Sequence, residues 1–362
     1  MSTIELRRVT KRFGSFTAVR DVDLSVAAGE VVCLLGPSGC GKTTTLRIIA
    51  GLERASAGEV IIAGRPMNEL TPQQRDIAMV FQFYALYPAL SVRDNIMFPL
   101  HHEKLTPEAA AARIAKVAGI LHLNGVLDRL PGQISEGEKQ RVAVARAVVR
   151  DPNCFLFDEP LSRLDVELRQ SMRGQIKSVL TGLSKATVIV THDQLEALTM
   201  ADRIAIMRDG LIEQVASPHE VFARPANVFV ASFIGTPQMN LIEADFQGIA
   251  EGTAALTVNG VPVRLELDRA AGRLEKGKVT VGIRPRALLP VAEAASDTMT
   301  GRAELIEPMG AETLIHARTG AGGDIRVVVP REARVKAGET LHLKADPRQT
   351  HVFDAKGQAV RT

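Results

Sequence analysis

The residues Gly36-Pro37-Ser38-Gly39-Cys40-Gly41-Lys42-Thr43 combine glycines, a lysine and a hydroxyl at the spacing that cradles a phosphate. Glycines let the backbone curl until successive N–H groups point inward, and a helix starting at once adds its partial positive charge. At this spacing Lys42 reaches β- and γ-phosphate oxygens, and the Thr43 hydroxyl can ligate Mg²⁺. A plain turn before a helix would need neither Lys nor Thr after its last glycine. Asp158-Glu159 closes the apolar run Cys154-Phe155-Leu156-Phe157. Adjacent carboxylates at the end of a buried strand are costly unless something positive meets them. Mg²⁺ at Asp158 and an attacking water at Glu159 would answer that cost, and so would a structural ion pair. Ile134-Ser135-Glu136-Gly137-Glu138 leads into a helix with Val142, Ala145 and Val149 on one face. That turn is either a second phosphate-facing element or a serine N-cap whose acids suit the helix dipole.

These groups need a frame to hold them. Val31 to Leu35 is a continuous apolar run before the glycines, and Leu46, Ile48, Ile49 and Leu52 follow at helical spacing. Ile77 to Gln82 is an apolar strand ending in an amide; from spacing alone, Gln82 is as readily an exposed strand end. Thr187 to Val190 ends in Thr191-His192-Asp193. Polar residues at strand ends lie where open parallel sheets bind ligands. Ala109 to Ile120 reads as helix, and Asp209-Gly210 as a hairpin turn. Phe13, in the turn-like stretch Lys11 to Gly14, reads by itself as a plug for a small core. His101-His102 lack further ligands nearby and read as solvent-facing.

From about Pro225 to Pro237 the helical pattern gives way to short alternating runs between glycine, proline and charged turns. Leu274-Glu275-Lys276-Gly277 before Val279-Thr280-Val281 is echoed by Val335-Lys336-Ala337-Gly338 before Leu341-His342-Leu343. The runs end at Pro285 and Pro347, which suggests an internally duplicated small β-barrel domain. A chain of 362 residues, 46% apolar and 23% charged, fits two globular domains. A net charge of +3 is no nucleic-acid footprint. Three cysteines, none in a framework spacing, fit a reducing cytosol. The N-terminus has no signal-peptide layout, and no apolar run nears the roughly 18–20 residues that span a bilayer. A membrane role is therefore expected to be peripheral, through a partner.

Together these motifs resemble the ATP-binding subunit of an ABC transporter, along the whole chain and in the family's order. The resemblance implies that Gly36 to Thr43, with Thr44, is the phosphate loop. It implies that Asp158 is the magnesium-side aspartate and Glu159 the carboxylate that polarises the hydrolytic water. Gln82 matches the glutamine that senses Mg²⁺ and couples to membrane subunits, and His192 the switch histidine at the γ-phosphate. Thr43, Gln82 and Asp158 are thus the implied metal residues. Ser162 to Asp165 matches the loop between two ATP sites, and Phe13 falls where an aromatic stacks on adenine. Ser135 and Gly137 match the signature turn that closes on the ATP of a second subunit. That turn departs from the usual Leu-Ser-Gly-Gly-Gln, and at ~5 Å and an effective dielectric of ~20 the Glu136 charge would cost on the order of 1–3 kcal/mol against a triphosphate.

Phe83-Tyr84-Ala85-Leu86-Tyr87-Pro88, Ile234 to Asn240 and Val281-Gly282-Ile283-Arg284-Pro285 look like the maltose-type and glycerol-phosphate-type importer ATPases. Arg286 stands where that branch usually has glutamate. The resemblance implies an α/β ABC ATPase domain over 1–235, with a helical subdomain over about 83–155, and a regulatory oligonucleotide-binding-like barrel over 236–362. It implies an ATP- and Mg²⁺-dependent homodimer at the cytoplasmic face of the inner membrane. Two integral permeases and, indirectly, a periplasmic solute-binding protein would be its partners, with no nucleic acid, and the solute a sugar or sugar derivative. Importers of polyamine, iron or sulfate share the barrel. A soluble ABC ATPase acting on DNA or ribosomes is the rival reading, though the coiled-coil insertions or second ATPase domain usual in those are not found here.

Overall fold

The computed structural model describes residues 3–360 except 104, 163, 183, 251–252, 259, 267–273, 275 and 321. It separates into two compact units, Met1–Pro218 and His219–Thr362. In the first, β1 (Ile4–Phe13) and β2 (Phe16–Val26) form a long bulged hairpin, where the sequence suggests only short β pieces. β3 (Val31–Leu35) leads into α1 (Lys42–Ala50); β4 (Ala57–Ile62), β5 (Arg65–Pro66), α2 (Pro72–Arg75) and β6 (Ile77–Val80) follow. Then come α3 (Val92–Met97), α4 (Pro107–Ile120) and α5 (Glu136–Val148), the mostly helical stretch that the alanine-rich pattern announces. β7 (Cys154–Asp158), α6 (Val166–Thr181), β8 (Ala186–Thr191), α7 (Gln194–Met200), β9 (Arg203–Arg208) and β10 (Leu211–Ala216) complete it.

Two sheets result. One runs β2-β1-β4-β5, and the other β10-β9-β3-β8-β7-β6. In the larger sheet β9, β3, β8, β7 and β6 are mutually parallel. Every residue of β3, β7 and β8 is buried. That explains their unbroken Val/Ile/Leu/Phe composition: strands covered on both faces have no solvent side to mark with polar residues. Asp209 and Gly210 take φ of 51° and 81°, the left-handed pair that a two-residue hairpin turn between β9 and β10 demands. The three cysteines are buried free thiols. Phe13 ends β1 opposite Phe16 and is 47% exposed, so it plugs no core; the Lys11 ammonium lies 4.7 Å from its ring centre. His101 is exposed and rests on Phe98, ring centres 5.8 Å apart. The His102 side chain lies outside the described residues. Among the described residues no helix is long and apolar enough to cross a membrane.

The second unit carries the helix α9 (Val228–Phe233), after α8 (Pro218–Ala223), and then, among the described residues, strands joined by turns, two of them 3₁₀ turns. β11 (Asn240–Ala250), β12 (Thr253–Val258), β13 (Val261–Glu266) and β14 (Gly277–Ile283) open it. β15 (Leu288–Val291), β16 (Met299–Pro308), β17 (Glu312–Thr319), β18 (Asp324–Pro330), β19 (Thr340–Ala345), β20 (Thr350–Phe353) and β21 (Ala359–Val360) follow. Two antiparallel sheets, β13-β12-β11-β14-β20-β21 and β15-β19-β16-β17-β18, close over one apolar core as a near-complete barrel. The echoed segments become β14 and β19, one in each sheet. Each is followed by a 3₁₀ turn, at Pro285–Ala287 and Pro347–Gln349, and the chain then crosses to the other sheet. β15 pairs with β19 and β20 pairs with β14. Glu275, within the echo, lies outside the described residues.

Arg75 fixes the far end of the phosphate-loop helix. It is 2% exposed, and its guanidinium donates to the carbonyls of Ile48 (2.7 Å), Ile49 (2.8 Å) and Leu70 (3.0 Å). A cation on the last carbonyls of a helix satisfies orphan acceptors and opposes the dipole. We expect Arg75→Leu to destabilise the protein by about 2–4 kcal/mol in urea unfolding, because buried acceptors lose charged donors. A change under about 0.5 kcal/mol would refute this role.

Candidate active site

The parallel register delivers four loops to one edge of the larger sheet. Leu35 of β3 pairs with Thr191 of β8, Asp158 of β7 with Val190, and Val80 of β6 with Phe157. Gly36, His192, Glu159 and Gln82 therefore emerge side by side although up to 156 positions separate them (192 − 36). Their side chains meet around Glu159. The Gln82 amide donates to one carboxylate oxygen at 2.9 Å, and His192 Nδ1 lies 3.2 Å from the other. Glu159 itself sits at φ 48°, the left-handed region that non-glycine residues avoid. Its N–H donates to the Val190 carbonyl at 2.9 Å, and its carbonyl accepts the Ser162 hydroxyl at 3.1 Å, so the surroundings hold this conformation in place.

Beside this cluster the glycine loop wraps a buried ammonium. Lys42 Nζ donates to the carbonyls of Gly36 and Pro37, both at 2.8 Å, with Cys40 Sγ at 3.7 Å. Gly36, Cys40, Gly41 and Lys42 are buried, Pro37, Ser38 and Gly39 exposed, and Thr43 and Thr44 half-buried. Two of the glycines are obligatory. A Cβ on Gly36 would fall 2.2 Å from the Met207 carbonyl oxygen. Gly41 has φ 104° and would place a Cβ 2.4 Å from that of Ala18. The loop is thus pressed against the β9–β10 hairpin on one side and β2 on the other.

Asp158 is 8% exposed and accepts the Thr43 hydroxyl at 3.2 Å. Among the described residues no Lys, Arg or His lies within ion-pair distance of it, so the structural ion pair that the sequence left open is not formed. Burial, the leading cause, pushes its carboxyl above the ordinary carboxylate range; the Thr43 hydrogen bond and the Arg47 and Lys42 charges oppose this. One carboxylate oxygen and one hydroxyl, without further protein ligands nearby, suit a small hard cation that completes its shell with phosphate oxygens and water. No group of three His, Cys, Asp or Glu ligands occurs among the described residues. The donor set fits Mg²⁺, which Thr43 and Asp158 would hold.

Phe13, Ser135, Gly137 and Asp165 are placed elsewhere. Ser135 is the N-cap of α5 and forms a reciprocal capping box with Glu138. Gly137 is buried under Leu168, whose Cδ2 would lie 2.5 Å from an added Cβ. Asp165 is the N-cap of α6, accepting from Leu168 N–H at 2.9 Å. The signature turn and the Asp165 turn therefore adjoin through Leu168. Arg163, between them in sequence, lies outside the described residues.

Two arginines that the motifs did not single out organise these loops. Arg146, in the last turn of α5, donates to the carbonyls of Tyr84 (2.8 Å) and Ala85 (2.6 Å), just past Gln82. Arg169 donates to the Leu164 carbonyl at 2.9 Å and to Asp193 at 3.4 Å, joining the Asp165 loop to the His192 loop. The only sequence signal for Arg146 is a cation in the small-residue run Ala145 to Ala147.

The sign of the Asp158 shift makes a prediction. A carboxyl raised in the folded state opposes folding once ionised, so stability falls as pH rises through its raised value. Asp158→Asn should raise the melting temperature measured in chelator at about pH 7, and the gain should be smaller near pH 4, closer to the range in which the wild-type carboxyl takes up its proton. ATP hydrolysis should be lost at both. An equal gain at both pH values would exclude ionised Asp158 as its source.

Comparison with known proteins agrees with this geometry. Residues 19–162 match the ABC transporter family model, 235–288 the MalK OB fold domain and 281–353 the TOBE domain. The sulfoquinovosyl glycerol transport ATP-binding protein SmoE of Agrobacterium fabrum is 44% identical over 98% of each chain. An sn-glycerol-3-phosphate import ATP-binding protein, UgpC of Cereibacter sphaeroides, is 43% identical over 98% of this chain and 99% of that one. Among solved structures, a dimeric ATP-binding cassette in a post-hydrolysis state with ADP and Pi is 32% identical, with a TM-score of 0.53. It covers 59% of this chain and 98% of its own. Similarity that runs nearly end to end, over a site built for phosphate and water, makes this chain a member of the ABC transporter ATP-binding family and an ATPase.

Proposed function

We propose that the chain energises uptake of a sugar or sugar derivative, working as a homodimer beneath two integral permeases at the cytoplasmic face of the inner membrane. Relatives named for glycerol-phosphate and sulfoquinovosyl glycerol transport support this class of solute, delivered by a periplasmic solute-binding protein. Functionally we divide the chain into an ATPase domain over 1–235, with a helical subdomain over about 83–155, and a regulatory barrel over 236–362. The barrel is not a nucleic-acid site on this reading, because it lacks the interleaved aromatics that stack on bases.

The observation that carries the reading is Glu159 held between Gln82 and His192. Hydrolysis of a phosphoanhydride is mostly positioning and charge stabilisation. Glu159 orients a water for attack, its two carboxylate oxygens fixed in direction by the amide on one side and the imidazole on the other. Lys42 and the inward N–H groups of Gly39 to Thr44 bind and neutralise the phosphates. Mg²⁺ held at Thr43 and Asp158 would add electrostatic stabilisation of the β- and γ-oxygens. Phe13, exposed at a strand end, offers a ring face for adenine. Ser135 to Gly137 of a second copy, with its Asp165 loop, completes the site across a dimer interface.

Glu159→Gln keeps the shape and one acceptor oxygen but removes the carboxylate base. It should bind ATP, hydrolyse it about 10²–10⁴-fold more slowly and accumulate as an ATP-bound dimer in sedimentation. Wild-type turnover in that variant would remove Glu159 from the mechanism. Co-purification with nucleic acid, and not with two permeases, would favour a soluble ATPase instead.

A further inference from the structure

The signature turn of this chain carries two carboxylates, and the structure treats them differently. Glu136 is exposed at the first turn of α5 and pairs with Lys139 at 2.7 Å, so its charge is met locally. Glu138 folds back. Its Oε2 accepts both the Ser135 hydroxyl and the Ser135 N–H, each at 2.8 Å, while its own N–H donates to Ser135 Oγ at 3.3 Å. Those bonds, the backbone one first, hold the Glu138 carboxyl below the ordinary range, with weaker help from the Arg141 and Arg129 charges. The group is an anion at neutral pH.

A serine hydroxyl has one proton to give. Here it goes to a carboxylate, and hydrogen bonds to ionised acceptors are roughly twice as strong as those to neutral ones. We propose that Glu138 detunes the signature turn, so that this chain closes on ATP less tightly than the same turn with a neutral residue at that position. Two effects act together. The Ser135 hydroxyl must leave Glu138 before it donates to a phosphate, and the Glu138 charge stands beside the place the phosphate must enter. In a symmetric dimer both act twice. The inference rests on the head-to-tail dimer proposed above.

The chain contains its own control for the geometry. At the start of α2, Gln74 Oε1 accepts from the Thr71 N–H at 3.0 Å and from the Thr71 hydroxyl at 3.2 Å, the same reciprocal box without a charge. A glutamine therefore caps such a turn in this fold, with somewhat longer bonds. Glu138→Gln is expected to preserve the helix start and remove only the anion.

The test is ATP-driven dimerisation of the full chain, followed by sedimentation in the Glu159→Gln background with Mg²⁺ and ATP. Adding Glu138→Gln should lower the dimer dissociation constant about tenfold or more at about 50 mM NaCl. Near 300 mM the gap should narrow, because salt screens the repulsion. Adding Glu136→Gln should change it less than about threefold, since Lys139 already answers that charge. With Glu159 intact, Glu138→Gln should lower KM for ATP more than it changes kcat. A dissociation constant that is unchanged, or raised as loss of the cap would raise it, overturns the proposal. If Glu159→Gln alone never dimerises with ATP, the dimer reading fails first and takes this inference with it.

Discussion

A buried strand that ends in two carboxylates sets the terms for everything around it. β7 is buried along its whole length, so Asp158 and Glu159 leave the interior with little water to solvate them. The fold answers each differently. Asp158 receives a single hydroxyl and is left short of positive charge, a deficit that a bound cation removes. Glu159 receives an amide and an imidazole, which fix the direction of its two oxygens. A stabilising salt bridge at either place would make a quieter protein and a poorer ATPase, because the charge would already be spent on the protein's own lysine or arginine. Lys42, a cation close at hand, is turned instead into the carbonyls of its own loop.

Much of this was legible in the sequence because it is local. Glycines, lysine and threonine in the phosphate loop act within one turn of chain, so their order alone specifies the cradle. Buried parallel strands announce themselves as apolar runs, and their last residues as the place to look for chemistry. Sheet order is not local. Nothing in the spacing of Gln82, Glu159 and His192 says that β6, β7 and β8 lie side by side, yet that adjacency alone brings the three side chains within hydrogen-bonding reach. For the same reason Gln82 reads as a bare strand end until its neighbour is known. Arg146 and Arg169 were hard to single out because most of their bonds go to backbone carbonyls, which leave no mark in a sequence.

The signature turn shows the limit from the other side. Charge counting along the sequence puts the weight on Glu136, the residue in place of a glycine. Rotamer and hydrogen-bond geometry reassign it, since Lys139 lies one helical turn on from Glu136 while Glu138 faces back towards Ser135. A comparable correction occurs in the barrel. Arg286, which the resemblance places in a position usual for glutamate, has a partner of its own in the barrel. It grips Glu312 of β17 through two hydrogen bonds of 2.8 and 2.6 Å. Both are cases where a substitution read alone overstates the charge that the folded protein presents.

The helix α5 ties these features together. Its first turn is the signature, and Arg146 in its last turn holds the backbone just beyond Gln82. Thirteen residues of continuous α-helix span about 20 Å as one hydrogen-bonded rod. Val142, Val144 and Ala145, all fully buried, fix that rod in the protein. Helices curve only gently unless a feature such as proline or a bulge kinks them, and α5 contains no proline. The Ser135 turn and the backbone just past Gln82 are therefore joined through one helix.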